Sequence, residues 1–144
     1  MNFPTKIEFS RRKDIFEHAE IKPVPPAIIT QYKLQNILLQ HYTLQGAIEQ
    51  KIHALIHRSE TQARDIIDLQ VLKNKLPNPE KFIFSKEDKV KALEVLMSVS
   101  FDHYKSQVWP FLMAEFQDEY KSHGFWDQMQ EDVCTFIQDQ VVHK

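Results

Sequence analysis

Glycine is almost missing from this 144-residue sequence, with only Gly46 and Gly124 present. So few residues able to take positive φ cheaply argues against a turn-rich β architecture and favours helices. Cysteine is reduced to Cys134, which excludes an intrachain disulfide. That residue lies among Val133, Phe136 and Ile137, so a buried, inert thiol is expected. No apolar run approaches the roughly 18 residues of a membrane span. No leader pattern opens the sequence at Met1-Asn2-Phe3-Pro4, and a cytoplasmic protein without membrane contact is expected. An excess of positive charge is lacking too. The formal net charge is -2 and the pI about 6.4, against the basic footprint of a nucleic-acid-binding domain. The densest basic run, Arg11-Arg12-Lys13, reads as a solvated loop.

What is present suits one soluble domain, or a large piece of one: 42% hydrophobic and 26% charged residues, enough for a core. The pattern predicts an α+β fold, mostly α. A short β segment over 1–43 precedes a bundle of about five helices over 44–144. Thr5-Lys6-Ile7-Glu8-Phe9-Ser10 alternates with the period of a half-buried strand. Pro23-Val24-Pro25-Pro26 reads as a loop. Ile28 to Tyr32 and Ile37 to Tyr42 are β-prone, and Gln35-Asn36 is expected to turn one onto the other. From Thr43, an expected N-cap, the period is helical. Leu44, Ala47, Ile48, Ile52 and Leu55 share a stripe, with Gly46 a mild cost. A second helix is predicted over about Ala63 to Leu76, stopped by Pro77, and a third is capped by Ser85. A fourth covers Asp102 to Tyr120, kinked or broken at Pro110 and closed by Gly124 at C′. A last helix carries Phe125, Met129, Val133, Phe136 and Ile137.

Two of these helices carry charge in their apolar seams. At 100° per residue, Lys51 falls between Ala47 on one side and Leu44 and Leu55 on the other, and Arg58 returns to the same face. On the second helix Asp65 projects among Leu69, Leu72 and Leu76, with Asp68 at the edge. Lys and Arg are rarely buried unless paired, so the cations are expected to face the carboxylates. Two readings stay open. A Lys51–Asp65 or Arg58–Asp68 pair could simply fix helix register. Alternatively the helices frame a charged cleft, where Lys51 meets a phosphate and Asp65 orients it or takes a proton.

Lys51-x2-Ala54-Leu55-x2-Arg58 followed by Arg64-Asp65-x2-Asp68-Leu69 resembles the paired late motifs of the AbiEii/AbiGii nucleotidyltransferase toxins. The layout is similar on both sides. An extended segment like Lys6 to Ser10 comes before, then a Trp109, Phe111, Leu112 stretch and a final Phe125-Trp126 to Ile137 helix. The resemblance implies nucleotide transfer from an NTP, with Mg²⁺, onto a cellular target such as tRNA. It implies Lys51 and Asp65 as catalytic residues. Arg58, Arg64 and Asp68 would be phosphate-binding or supporting groups around them.

The family's N-terminal half carries a Gly-Gly or Gly-Ser turn and an Asp-x-Asp pair that hold phosphate and metal. Neither motif occurs here. Asp118-Glu119 reads as a helical surface pair, and Glu8 is the one candidate for a further metal carboxylate. The chain is therefore expected to be the family's C-terminal half, incomplete as a catalyst and without a cofactor of its own. Its expected partners are an antitoxin, a complementary N-terminal half, or a second copy joined through the β segment. A non-catalytic interaction module is the other reading. His53 and His57 point off the stripe, and Ala54 stands where a zinc-protease helix needs Glu. Trp109, Phe111, Phe116, Phe125, Trp126 and Phe136 read as core or interface rather than a base-stacking platform.

Overall fold

Side-chain caps set the starts of most of the longer helices in the computed structural model, which describes residues 18–60, 62–112 and 114–143. The first described element is strand β1, Ala19–Pro23, antiparallel to β2, Leu38–Tyr42, with Ala19 opposite Tyr42 and Pro23 opposite Leu38. Helix α1, Pro26–Tyr32, lies in the connection between them. Ile28 to Tyr32 is thus helical, against the strand expected from its residues. Pro26 enters the first turn with its φ already set, and Lys33 closes the helix at φ 52°. Gln35-Asn36 accordingly does not join two strands. The strand that meets β2 is Ala19–Pro23, which carries no strong alternation. The expected strand at Thr5 to Ser10, the basic run Arg11 to Lys13 and Glu8 lie outside the described residues.

Helix α2, Leu44–His57, starts where the Thr43 hydroxyl accepts from the Gly46 amide at 3.1 Å. The Thr43 amide and hydroxyl also donate to the His18 carbonyl, at 2.9 and 3.1 Å. This brings the strand end against α2. A Cβ on Gly46 would lie 2.5 Å from the His18 carbonyl oxygen, so glycine is required here by close approach rather than by φ. Helix α3, Ala63–Lys75, ends before Pro77, and α4, Lys86–Ser98, begins where Ser85 accepts from the Asp88 amide. Ser100 and His103 form a reciprocal capping box on α5, Phe101–Gln107. Of the kink or break expected at Pro110, the structure has the break: the run towards Tyr120 gives way to a 3₁₀ turn at Trp109–Phe111 and then a short α6, Ala114–Gln117. Ser122 caps α7, His123–Gln140. Gly124 therefore sits inside the first turn of α7, not at the C′ of the preceding helix. Asp118-Glu119 lies in a turn, not on a helix, and Asp118 pairs with Lys121 at 2.8 Å.

Helices α2, α3, α4, α5 and α7 enclose the core, built around Ile48, Ile52, Ile66, Leu69, Leu96, Tyr104, Trp126, Val133 and Ile137. The architecture is α+β and mostly helical. Two short parallel strands not foreseen from the sequence, β3 (Phe82–Ile83) and β4 (Val141–Val142), tie the end of α7 to the start of α4. Lys81 donates to the Asp139 carbonyl at 2.8 Å, and Lys89 to the Gln138 and Val141 carbonyls at 2.7 Å. Two cations thereby satisfy the last turn of α7, at the negative end of its dipole. At the far end of α4, buried Gln130 donates to the Leu96 and Val99 carbonyls, both at 2.8 Å. No described helix is long and apolar enough to cross a membrane.

Of the singled-out aromatics, Trp126 and Phe136 are buried, and Trp109 and Phe125 half-buried. Phe111 is exposed, and the Phe116 side chain is not among those described. Cys134 is half-buried rather than buried, beside Met97. Burial, with Glu131 nearby, pushes its thiol above the usual range and keeps it protonated near neutrality.

Candidate charged site between α2 and α3

The buried face of α2 runs through Ile48, Ile52, Leu55 and Ile56, while Leu44 is exposed. That of α3 runs through Ala63, Ile66 and Leu69, and it includes Asp65. The Asp65 side chain is only 3% exposed. A lone carboxylate at that depth is strongly unfavourable, and its partners come from the facing helix. Lys51 Nζ donates to Asp65 Oδ1 at 3.1 Å and to Asp68 Oδ2 at 2.6 Å. Arg58 Nη1 donates to Asp65 Oδ2 at 2.5 Å. Two cations and two carboxylates thus form one neutral quartet. Asp65 is also the third residue of α3, where the helix dipole favours negative charge.

The sequence-predicted residues come together, with one exchange of partners. Of the two alternative pairs, Lys51–Asp65 is formed and Arg58–Asp68 is not: Arg58 joins Lys51 on Asp65, and Asp68 is held by Lys51 alone. Arg58 is at the C-cap of α2, near the head of α3, while Asp68 is one turn further along. Arg64 stands next to Asp65 in sequence, but it is exposed and has no partner among the described residues.

The quartet is sealed on one side only. Lys51 is 22% exposed and Arg58 41%. A lysine has three donor protons and a guanidinium five. One Nζ proton, the Nη2 pair and the Nε proton remain without a partner among the described residues. The arrangement can present several fixed N–H donors to an anion while the carboxylates behind them hold the cations in place. Among the described residues no group of three or more His, Cys, Asp or Glu could hold a metal ion. His53 and His57 stack at 5.8 Å, exposed on the outer face of α2, with His53 against Phe84.

Two residues were missed in the sequence. Gln62, at the N-cap of α3, accepts from Arg58 Nη1 at 3.0 Å. Gln107, at the end of α5, accepts from the Ala63 amide at 2.8 Å and so caps α3 from outside. The available signal was local: a glutamine rather than Ser, Thr, Asp or Asn at the head of a predicted helix. Beside them lies a cleft of about 310 Å³ lined by Glu60, Ser98, Val99, His103 and Gln107.

The comparisons with known proteins give one positive finding. The family model described as nucleotidyl transferase AbiEii toxin, type IV TA system, matches residues 4–138. No curated protein and no solved structure matches the chain.

Proposed function

The chain belongs to the AbiEii nucleotidyl transferase toxin family, and from that premise we propose that its quartet is the phosphate-facing part of a nucleotidyltransferase site. The observation that supports this reading is the one-sided quartet: Lys51 and Arg58 are fixed by buried Asp65, yet keep unpaired N–H donors towards solvent. Lys51 contacts the triphosphate of an NTP, and Arg58 adds planar donors. Exposed Arg64, next to Asp65 in sequence, adds a further cation for the phosphates. Asp65 supports catalysis by aiming both cations, since both of its oxygens are engaged. Asp68 holds Lys51 from the other side. Preorganised donors of this kind stabilise charge that develops during transfer.

Mg²⁺ does not fit the described residues. Both oxygens of Asp65 and one of Asp68 already accept from cations, and the described residues hold no further ligand set. The sequence likewise has no Gly-Ser turn and no Asp-x-Asp pair. We therefore read the chain as the C-terminal, catalytically incomplete part of an AbiEii-like site, completed by a separate N-terminal half. Incubating the purified chain with labelled NTPs, Mg²⁺ and total tRNA tests this. The expected result is no incorporation. Incorporation that persists in Lys51→Ala would overturn the roles given to these residues.

A second reading is favoured by a different observation. Ile21, Tyr32, Leu38 and Leu39 are all exposed on the β1–α1–β2 segment. An apolar surface of that kind recruits partners, and toxins of this family are opposed by an antitoxin. On this reading the chain is an interaction module that binds an antitoxin, a complementary half or a second copy. A homodimer through the strand edges is the simplest case. Sedimentation at micromolar concentration should then give twice the chain mass. A strict monomer would rule out the homodimer.

A further inference from the structure

We propose that Gln62 is a positioning residue that aims the Arg58 guanidinium, an inference that rests on the phosphate-contact reading above. Gln62 holds the N-cap position of α3 with extended backbone, φ -114° and ψ 126°, yet its side chain makes no capping bond. Glutamine is not among the side chains favoured there, because its amide is one methylene too long to fold back comfortably onto the first turn. Helices α2, α4, α5 and α7 all begin on a Thr or Ser whose hydroxyl accepts from the third amide. At α3 the capping bond comes instead from Gln107, at 2.8 Å. That frees the Gln62 side chain for Arg58.

The geometry explains what that contact adds. Asp65 Oδ2 and Gln62 Oε1 both accept from the same nitrogen, Arg58 Nη1. Nη1 carries two protons, and each acceptor takes one. Held by Asp65 alone, the guanidinium plane could swing about a single anchor. The second acceptor fixes the direction of the plane, and with it the edge formed by Nη2 and Nε. That edge is the one free to meet an anion in two parallel hydrogen bonds. A residue that breaks the local capping preference while ordering a charged neighbour is one expected at a functional position.

The test uses the full chain carrying Gln62→Met, which keeps length and removes the acceptor, and Gln62→Glu, which restores one. Nitrogen-detected NMR of the Arg58 guanidinium gives the first readout. Separate, slowly exchanging Nη signals are expected in the wild type and in Gln62→Glu, and averaged signals in Gln62→Met. Calorimetric titration with inorganic tripolyphosphate gives the second. Gln62→Met should bind about threefold more weakly, the effect of losing part of one modest hydrogen bond. Its melting temperature should match the wild type, because the α3 cap comes from Gln107. Arg58 signals unchanged in Gln62→Met would overturn the inference, as would a melting temperature that falls while Arg58 stays ordered. If the wild type binds no tripolyphosphate, the phosphate-contact reading fails, and the Arg58 signals still decide the role of Gln62.

Discussion

Replacing Asp65 by alanine should lower stability by about 3 kcal/mol, the scale found when one partner is taken from a buried ion pair. The carboxylate is 3% exposed and holds both Lys51 and Arg58, so its loss leaves two cations with incomplete partners. Lys51 retains Asp68 and Arg58 retains Gln62, which keeps the cost below the upper end of that range. For a chain of this size, about 3 kcal/mol corresponds to a fall of roughly 6–12 °C in Tm. Lys51→Met should cost less, about 1–2 kcal/mol, because Asp65 keeps Arg58 and Lys51 is already part-exposed. Urea denaturation with an unchanged m-value measures both. Asp65→Ala within about 0.5 kcal/mol of wild type would mean that the quartet contributes nothing to the fold.

A larger loss is expected at Trp126. This side chain is 1% exposed, stacks on Tyr104 at 4.9 Å, and donates Nε1–H to the Val99 carbonyl at 3.2 Å. It joins α7 to the end of α4 and to α5 at one point. Trp126→Ala removes that packing and leaves a cavity, at a cost of about 4 kcal/mol. Against a typical total of roughly 5–15 kcal/mol, that is enough to populate unfolded chains. Trp126→Phe should cost about 1–2 kcal/mol, since the Val99 carbonyl still accepts from Gln130. Guanidinium titration followed by near-UV circular dichroism distinguishes the two. A loss under about 1 kcal/mol in Trp126→Ala would contradict the packing described.

The charged seam was legible because it breaks a strong pattern. Lys51 and Asp65 sit where helical period demands apolar side chains, and only mutual pairing relieves that conflict. That Arg58 joins Lys51 on Asp65 was not legible. It depends on the short α2–α3 turn bringing Arg58 to the first turn of α3, a relation that a helical wheel does not contain. Gln62 and Gln107 escaped for a similar reason, since their roles are set by neighbours 4 and 44 residues away. In the β segment, Ile28 to Tyr32 has β-prone residues, but the Pro25-Pro26 entry fixes a helical first turn and overrides them. Gly46 looked like a cost to its helix, and the approach of the His18 backbone that explains it is a tertiary fact.

The lysine-capped end of α7 has a bearing on synthesis. The quartet joins residues 14 and 17 positions apart, so it can assemble as soon as α3 has left the ribosome. The bonds from Lys81 and Lys89 to the tail of α7 span 49 to 58 positions and cannot form until α7 itself has emerged. During that interval the nascent chain carries paired charges beside the apolar face of α3, part of which α7 has yet to cover. Distant contacts close slowly, and exposed hydrophobic surface in such intermediates favours aggregation. The charged site therefore precedes α7 in the order of synthesis, and the arrival of α7 decides how long the apolar face of α3 stays open.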